Sequence, residues 1–441
     1  MALTPTFLRY FRNTFWLLVE RVGRLVLSTI AAIVVLRHLG PERYGALSFA
    51  VSFVALFTSF GGLGIDVLLT RELVRHRHPR TVLLGTALSL RIAGIAFAVG
   101  AAWAVAAITH ETRATCILIL VIGAGALVQS ASLLRFHFEA EVRSRSVAAA
   151  QGIAAVVLLS SSVILVLRDA PLVGFAFVPL AEALALGLAL LVAYQADTGE
   201  ATRWRFSPSV ALSLLSDSWP FIVGAVFVML YMRTDQVMLR YMLGEGAVGQ
   251  YSAAMRMVEP LFAVPAAIAA GLFPAVVRAK EMSPELYRFR LRGFYSVMTW
   301  IGLACALGVS IVGSRLVGLM FGGEYQAAVP VAAIYAWALV FVFQAYASGT
   351  WLRTENLQRY SLPVVIFAGC TNVGLNAVMI PTMGPRGAAL ATVATQGMAA
   401  LLLPLAFKAT RENALDLLRC FNPIGSLRMV RAYLNIGEIT V

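Results

Sequence analysis

Apolar stretches of roughly twenty residues recur along the whole chain, and each has the length a helix needs to cross a bilayer. The first six are Phe15–Leu36, Gly45–Leu69, Val82–Ile108, Ala114–Leu134, Val147–Leu167 and Leu172–Tyr194. The second six are Pro220–Leu239, Tyr251–Val277, Phe294–Val312, Val329–Trp351, Pro363–Met383 and Gly387–Phe407. Composition excludes the soluble alternative. The 441 residues are 60% hydrophobic and 13% charged, against about 25% charged in soluble domains. The expected class is an all-α integral membrane protein with twelve transmembrane helices.

Twelve spans place both termini on one side. The loops on that side carry 23 of the 35 basic residues, the opposite loops carry 7, and five lie inside spans. Cytoplasmic loops are enriched in Lys and Arg, so both termini are expected in the cytoplasm. This asymmetry accounts for the net charge of +13 without a nucleic-acid partner. The first span is too long for a signal peptide and carries Glu20, Arg21 and Arg24, so it reads as a retained helix. The tail 409–441 is basic and amphipathic, with Leu415, Leu417, Leu418, Leu427, Met429 and Val430 among arginines, and is expected on the cytoplasmic membrane surface. The spacing of the four cysteines and five histidines suits no metal site or disulfide framework, and no cofactor is expected.

Charges inside the spans are the functional candidates, because a charge at that depth is costly and normally faces protein or water. Arg24 and Arg91 each lie about ten residues, or roughly 15 Å, from the start of their spans. Arg21 shares a helix face with Arg24, and Glu20, four residues from Arg24, offers intrahelical neutralisation instead. Arg256 and Glu259, three apart, also have the spacing to neutralise each other. Arg233 and Asp235 are two apart and point to different faces, so each needs a partner elsewhere. Asp235 and Glu259 are candidates for ion coupling, with Asp66 and Glu182 as weaker ones. Pro220, Pro260, Pro265 and Pro274 fall in the seventh and eighth spans, where they act as hinges or as static bends. Asn372 and Asn376 form a polar stripe suited to joining helices.

An internal repeat organises the chain. Leu39-Gly40-x4-Gly45-x2-Ser48-x-Ala50 returns 204 residues later as Leu243-Gly244-x4-Gly249-x2-Ser252-x-Ala254. Both copies lie just after an odd-numbered span. The repeat divides the protein into two six-helix lobes, 1–200 and 201–408, followed by the tail 409–441. Six spans is an even number, so the lobes share one orientation and a pseudo-twofold axis along the membrane normal, the parallel-repeat arrangement of some transporters.

Taken in order, several motifs resemble the polysaccharide-exporter branch of the MOP flippases. They are Asn13-x2-Trp16-Leu, Arg37-x-Leu-Gly-Pro-Glu-x-Tyr-Gly-x-Leu-x-Phe-Ala50, Arg71-Glu72, Tyr231-Met-Arg-Thr-Asp-Gln-Val-Met238, Tyr251-Ser-Ala-Ala and Gly387-Ala-Ala-Leu-Ala-Thr392. The resemblance covers nearly the whole chain and implies a MATE-like two-lobed fold working by alternating access. It further implies an O-antigen-type flippase of the bacterial inner membrane, moving an undecaprenyl-diphosphate-linked oligosaccharide to the periplasmic leaflet. Arginine suits a diphosphate because its planar fork binds oxygens in pairs and keeps its charge. Arg21, Arg24, Arg91, Arg233 and Arg256 are the expected cavity residues; Asp235, Glu259 and Asp66 are those for a coupling proton or sodium ion. The expected partners are the lipid-linked substrate, membrane lipid and polysaccharide-assembly proteins. The alternative is a cation-coupled multidrug-type exporter of the same architecture. A glycan-modifying enzyme is disfavoured by the short outer loops and by the lack of an intramembrane His with a partnered acid.

Overall fold

The computed structural model describes residues 5–141, 143–199 and 203–436, and side chains from residue 21 onward except 67, 432 and 434–436. Asn13, Trp16 and Glu20, named above, therefore lie outside the described side chains. Helices account for the fold. A backbone in lipid has no water to bond, so each span must satisfy its own polar groups.

The chain separates into two compact units, Met1–Met229 and Leu230–Val441. The first contains α1 (Pro5–Gly61), α2 (Ile65–Arg75), α3 (Arg80–Ile108), α4 (Arg113–Val128), α5 (Arg135–Ala140), α6 (Ser144–Leu167) and α7 (Leu172–Thr198). The helix α8 (Pro208–Leu243) carries the boundary. The second unit continues with α9 (Glu245–Val258), α10 (Ala263–Met282), α11 (Pro284–Phe321), α12 (Ala328–Tyr335), α13 (Ala338–Thr354) and α14 (Ser361–Met383). It ends with α15 (Pro385–Gly397), α16 (Leu403–Ala406), α17 (Lys408–Arg419) and α18 (Pro423–Ile436).

Among the described residues, eleven helices are long and apolar enough to cross a membrane. The twelve expected spans are reconciled at α1. Its stretch Arg21–Gly61 has 41 residues, about 60 Å of helix, enough for two passes of a core about 30 Å thick. The two passes meet at Gly40, with φ 68° and ψ 174°, followed by Pro41. An L side chain is strongly disfavoured there. The outer turn that sequence places between the first two spans is therefore a single joint. Its repeat, Gly244, has φ 89° and ψ −177° and joins α8 to α9 in the same way. Arg240 and Glu245 form an ion pair across that joint at 3.0 Å.

In the first unit, α1 packs on α6 and α3, and α7 on α6 and α4. A buried cluster of Ile65, Leu69, Leu84, Leu134, Phe138 and Leu190 ties α2 to its neighbours. Arg205 N–H donates to Thr81 O at 3.2 Å and Ser207 N–H to Thr86 Oγ1 at 3.0 Å, fixing the linker before α8 to α3. In the second unit, α11 packs on α13, α10 and α12, and α14 on α15. The tail forms α17 and α18, which pack against α11. Trp300 Nε1 donates to Ser426 Oγ at 3.0 Å, Arg292 pairs with Asp416 at 3.2 Å, and Tyr295 donates to Asn413.

Candidate functional site

The second span does not run straight through. α1 ends at Gly61, and Leu63 and Gly64 both take left-handed φ, 53° and 58°, before α2 starts. Irregular backbone inside a span is tolerated only where protein or a water-filled cavity covers it. Here α3 comes close: a Cβ on Gly61 would lie 2.6 Å from Gly94 O. The break places Asp66 in the first turn of α2, where a carboxylate suits the helix dipole. Asp66 lies nine residues from Arg75 at the arginine-rich end of α2, about 14 Å along the helix.

Arg91 reaches Asp66 from α3 and hydrogen-bonds it; Arg135, at the start of α5, approaches the other carboxylate oxygen at 4.0 Å. Arg91 is 15% exposed and Asp66 38%. Electrostatic interactions extend the group to Glu139 on α5 and to Arg21 on α1. Three arginines thus share two acids. The Nε of Arg91 and that of Arg135 are buried without a hydrogen-bond partner. An unmet buried donor costs about 1–3 kcal/mol, so this cluster has spare capacity for an anion.

The second unit holds its charges differently. Arg233 faces Glu259 at 4.0 Å, and Glu259 stands at the head of the 3₁₀ turn Glu259–Phe262 that interrupts the eighth span. Asp235 is 1% exposed. It accepts from Tyr251 OH and from Gln236 N–H, the latter at 2.8 Å, and Thr392 Oγ1 lies 3.4 Å from the same Tyr251 oxygen. Tyr335 packs edge-on against Tyr251, ring centroids 6.1 Å apart. Nearby, Asn376 donates to Asn372 at 2.9 Å and Asn372 to Thr395 at 3.5 Å, the joining role expected of that stripe.

The expected residues therefore separate. Arg91, Asp66 and Arg21 belong to the cluster in the first unit. Arg24 lies exposed one turn beyond Arg21. Arg233 and Glu259 pair in the second unit, so Glu259 meets Arg233 as well as having the spacing for Arg256, which is exposed on α9. Asp235 is enclosed rather than open. Arg135 and Glu139 escaped sequence reading because the apolar run ends just before them and they look like loop charges. Gly61-Gly-Leu-Gly64 inside an apolar span was the available signal for the break.

The chain matches the polysaccharide biosynthesis protein family over residues 10–280, more than half its length. It belongs to the polysaccharide biosynthesis protein family. One relative is the "Probable flippase AglR" of Haloferax volcanii, 26% identical over 182 residues. That alignment covers 40% of this chain and 37% of the relative, so the chain spans little over a third of it. Among solved structures, this family member is similar to the lipid II flippase MurJ in an inward closed conformation, with TM-score 0.70 and 10% identity. The likeness covers 98% of this chain and 93% of MurJ. It is also similar to an inward-facing multidrug resistance MATE transporter of the MOP superfamily, with TM-score 0.66 and 16% identity over 90% and 99% of the two chains. The fold is that of the MOP superfamily, and the protein is a multi-pass membrane protein.

Proposed function

We propose that this protein is a flippase for an undecaprenyl-diphosphate-linked oligosaccharide in O-antigen, capsule or exopolysaccharide synthesis. The observation that carries the reading is the Arg91–Asp66–Arg135 cluster, held partly exposed beside the break between α1 and α2. A sugar diphosphate crossing a bilayer unaided meets a large desolvation barrier. Guanidiniums with unmet donors lower it, and a diphosphate can replace Asp66 as their partner. Arg21, Arg24, Arg233 and Arg256 are proposed to extend the cationic path as the two units alternate between inward- and outward-open forms. Asp235, Glu259 and Asp66 are proposed to take up and release a coupling proton or sodium ion. The protein would sit in a bacterial inner membrane with both termini cytoplasmic, and would act without enzymatic chemistry of its own.

Family membership and the likeness to a lipid II flippase support this reading. The likeness to multidrug transporters supports a second one, cation-coupled export of small molecules. Deleting the gene and measuring surface glycan tests the choice. Loss of glycan restored by the wild-type gene, but not by Arg91→Ala, supports the flippase. Unchanged glycan with raised drug sensitivity supports the exporter.

A further inference from the structure

The second unit contains a cavity of about 220 Å³ that the charged residues above do not reach. Two helices turn regular stripes toward it. Ala345, Ser348 and Gly349 on α13 and Ser361, Val364 and Ala368 on α14 recur at three- and four-residue spacing. Small side chains at these positions leave space where larger ones would fill it.

The third wall is irregular. Residues Met398–Leu402 form a π-helical turn, in which Leu403 N–H donates to Met398 O. Pro404 follows and has no N–H, so it withholds the donor that Ala400 O would meet in a regular helix. Ala399 and Ala400 line the cavity. Such π-turns are rare and occur frequently at functional sites.

The chemistry of the wall is specific in two ways. None of the lining residues is charged. Of the polar ones, Ser348, Thr395 and Thr410 are engaged internally, with Asn413 at 2.9 Å, Asn372 at 3.5 Å and Pro404 O at 2.6 Å. Tyr231, Tyr360, Ser361 and Gln396 also line the cavity, and their side chains make no hydrogen bond to another described residue. The wall therefore offers three hydroxyls and one amide beside apolar surface from Leu352, Val364 and Val365. A diphosphate or a cation finds no counter-charge there. An alkyl chain leaves four polar groups unmet, each at a cost. A pyranose ring matches both halves: its hydroxyls meet Gln396, Ser361 and the tyrosines, and its C–H faces lie on the apolar wall.

We propose that this cavity binds an uncharged sugar ring. The proposal rests on the flippase reading only in taking the substrate's glycan as the source of that ring; the sugar head of a membrane glycolipid has the same chemistry. The test uses the full chain, purified in a polyoxyethylene detergent that carries no sugar. The probes are the methyl pyranosides of glucose, galactose, mannose and N-acetylglucosamine, read by thermal unfolding and equilibrium binding. At least one should raise Tm saturably. Gln396→Leu should weaken that binding at least tenfold with the unliganded Tm near wild type, and Ala368→Phe should block it by filling the space. Competition by lipid-linked oligosaccharide, against competition by glycosyl diacylglycerol, distinguishes the two sources. No shift with any of the four pyranosides overturns the proposal. So does an equal shift in Gln396→Leu, or a shift given only by the prenyl alcohol farnesol. If a pyranoside binds while cells lacking the gene keep their surface glycan, the flippase reading fails and the sugar site stands.

Discussion

At Asp66 one carboxylate answers two guanidiniums, and the balance of that trio decides what a substitution does. Arg91→Ala leaves Asp66 with only the more distant Arg135, while Asp66→Asn leaves two arginines without their shared acid. Each change should lower glycan export at least tenfold with membrane insertion retained. Arg91→Lys should keep part of the activity, because the charge survives and the fork does not. Wild-type export in both Arg91→Ala and Asp66→Asn would leave the trio a purely structural contact. A second residue-scale expectation concerns Glu355, after α13. Burial alone would raise its carboxyl, but the hydrogen bonds from Lys280 Nζ at 2.8 Å and Tyr287 OH at 2.7 Å outweigh burial and hold it below the usual carboxylate value of 4.5. A group depressed in the folded state stabilises fully above its unfolded value and loses that contribution as pH falls through the folded one. The gap in Tm between wild type and Glu355→Gln should therefore be present at neutral pH and close as the medium is acidified below 4.5. A gap that persists unchanged would mean the contacts act through packing alone.

Helices here are interrupted at places that matter, and two glycine substitutions separate the reasons. A methyl added at Gly244 would meet nothing within 4 Å, but the backbone there is one only glycine adopts readily. Gly244→Ala should therefore cost about 1–3 kcal/mol through strain alone. Gly61 is different: its methyl would press on the backbone of Gly94 and Ile95, so Gly61→Ala should push α3 from the break and disturb the Arg91–Asp66 contact. Thermal unfolding beside glycan export checks both, with Gly244→Ala expected to lose stability and keep transport, and Gly61→Ala to lose transport as well. The spans were legible from apolar run lengths, and the matched conformations of Gly40 and Gly244 agree with the repeat read at an offset of 204. The interruptions were less legible. A run of apolar residues looks the same whether the helix is continuous or broken, so the 3₁₀ turn at Glu259 and the π-turn at Met398 escaped. The ion partners escaped for a related reason: spacing gives neighbours within one helix, whereas Arg135 meets Asp66, and Tyr251 meets Asp235, across helices.

For the whole molecule, the loop basicity and the proposed transport cycle make separate demands. With both termini in the cytoplasm, a cysteine placed at the exposed Glu281 of an otherwise cysteine-free chain should escape an impermeant reagent in intact cells and react after permeabilisation. Labelling in intact cells would invert the topology. Moving a diphosphate outward is assisted by an inside-negative potential, so the return of the empty cationic form is the step that needs help. Asp235→Asn should then slow transport more than substrate binding in vesicles with controlled gradients. Equal rates under every gradient would make Asp235 the anchor of Tyr251 and nothing more. The joints at Gly40 and Gly244 carry a further consequence. Each turns the chain from one helix to the next without spare residues, and a protease needs an extended, locally unfolded run to draw into its cleft. Proteases applied from the side opposite the arginine-rich loops should leave both turns uncut, so that digestion from that side cannot release the helices these turns connect.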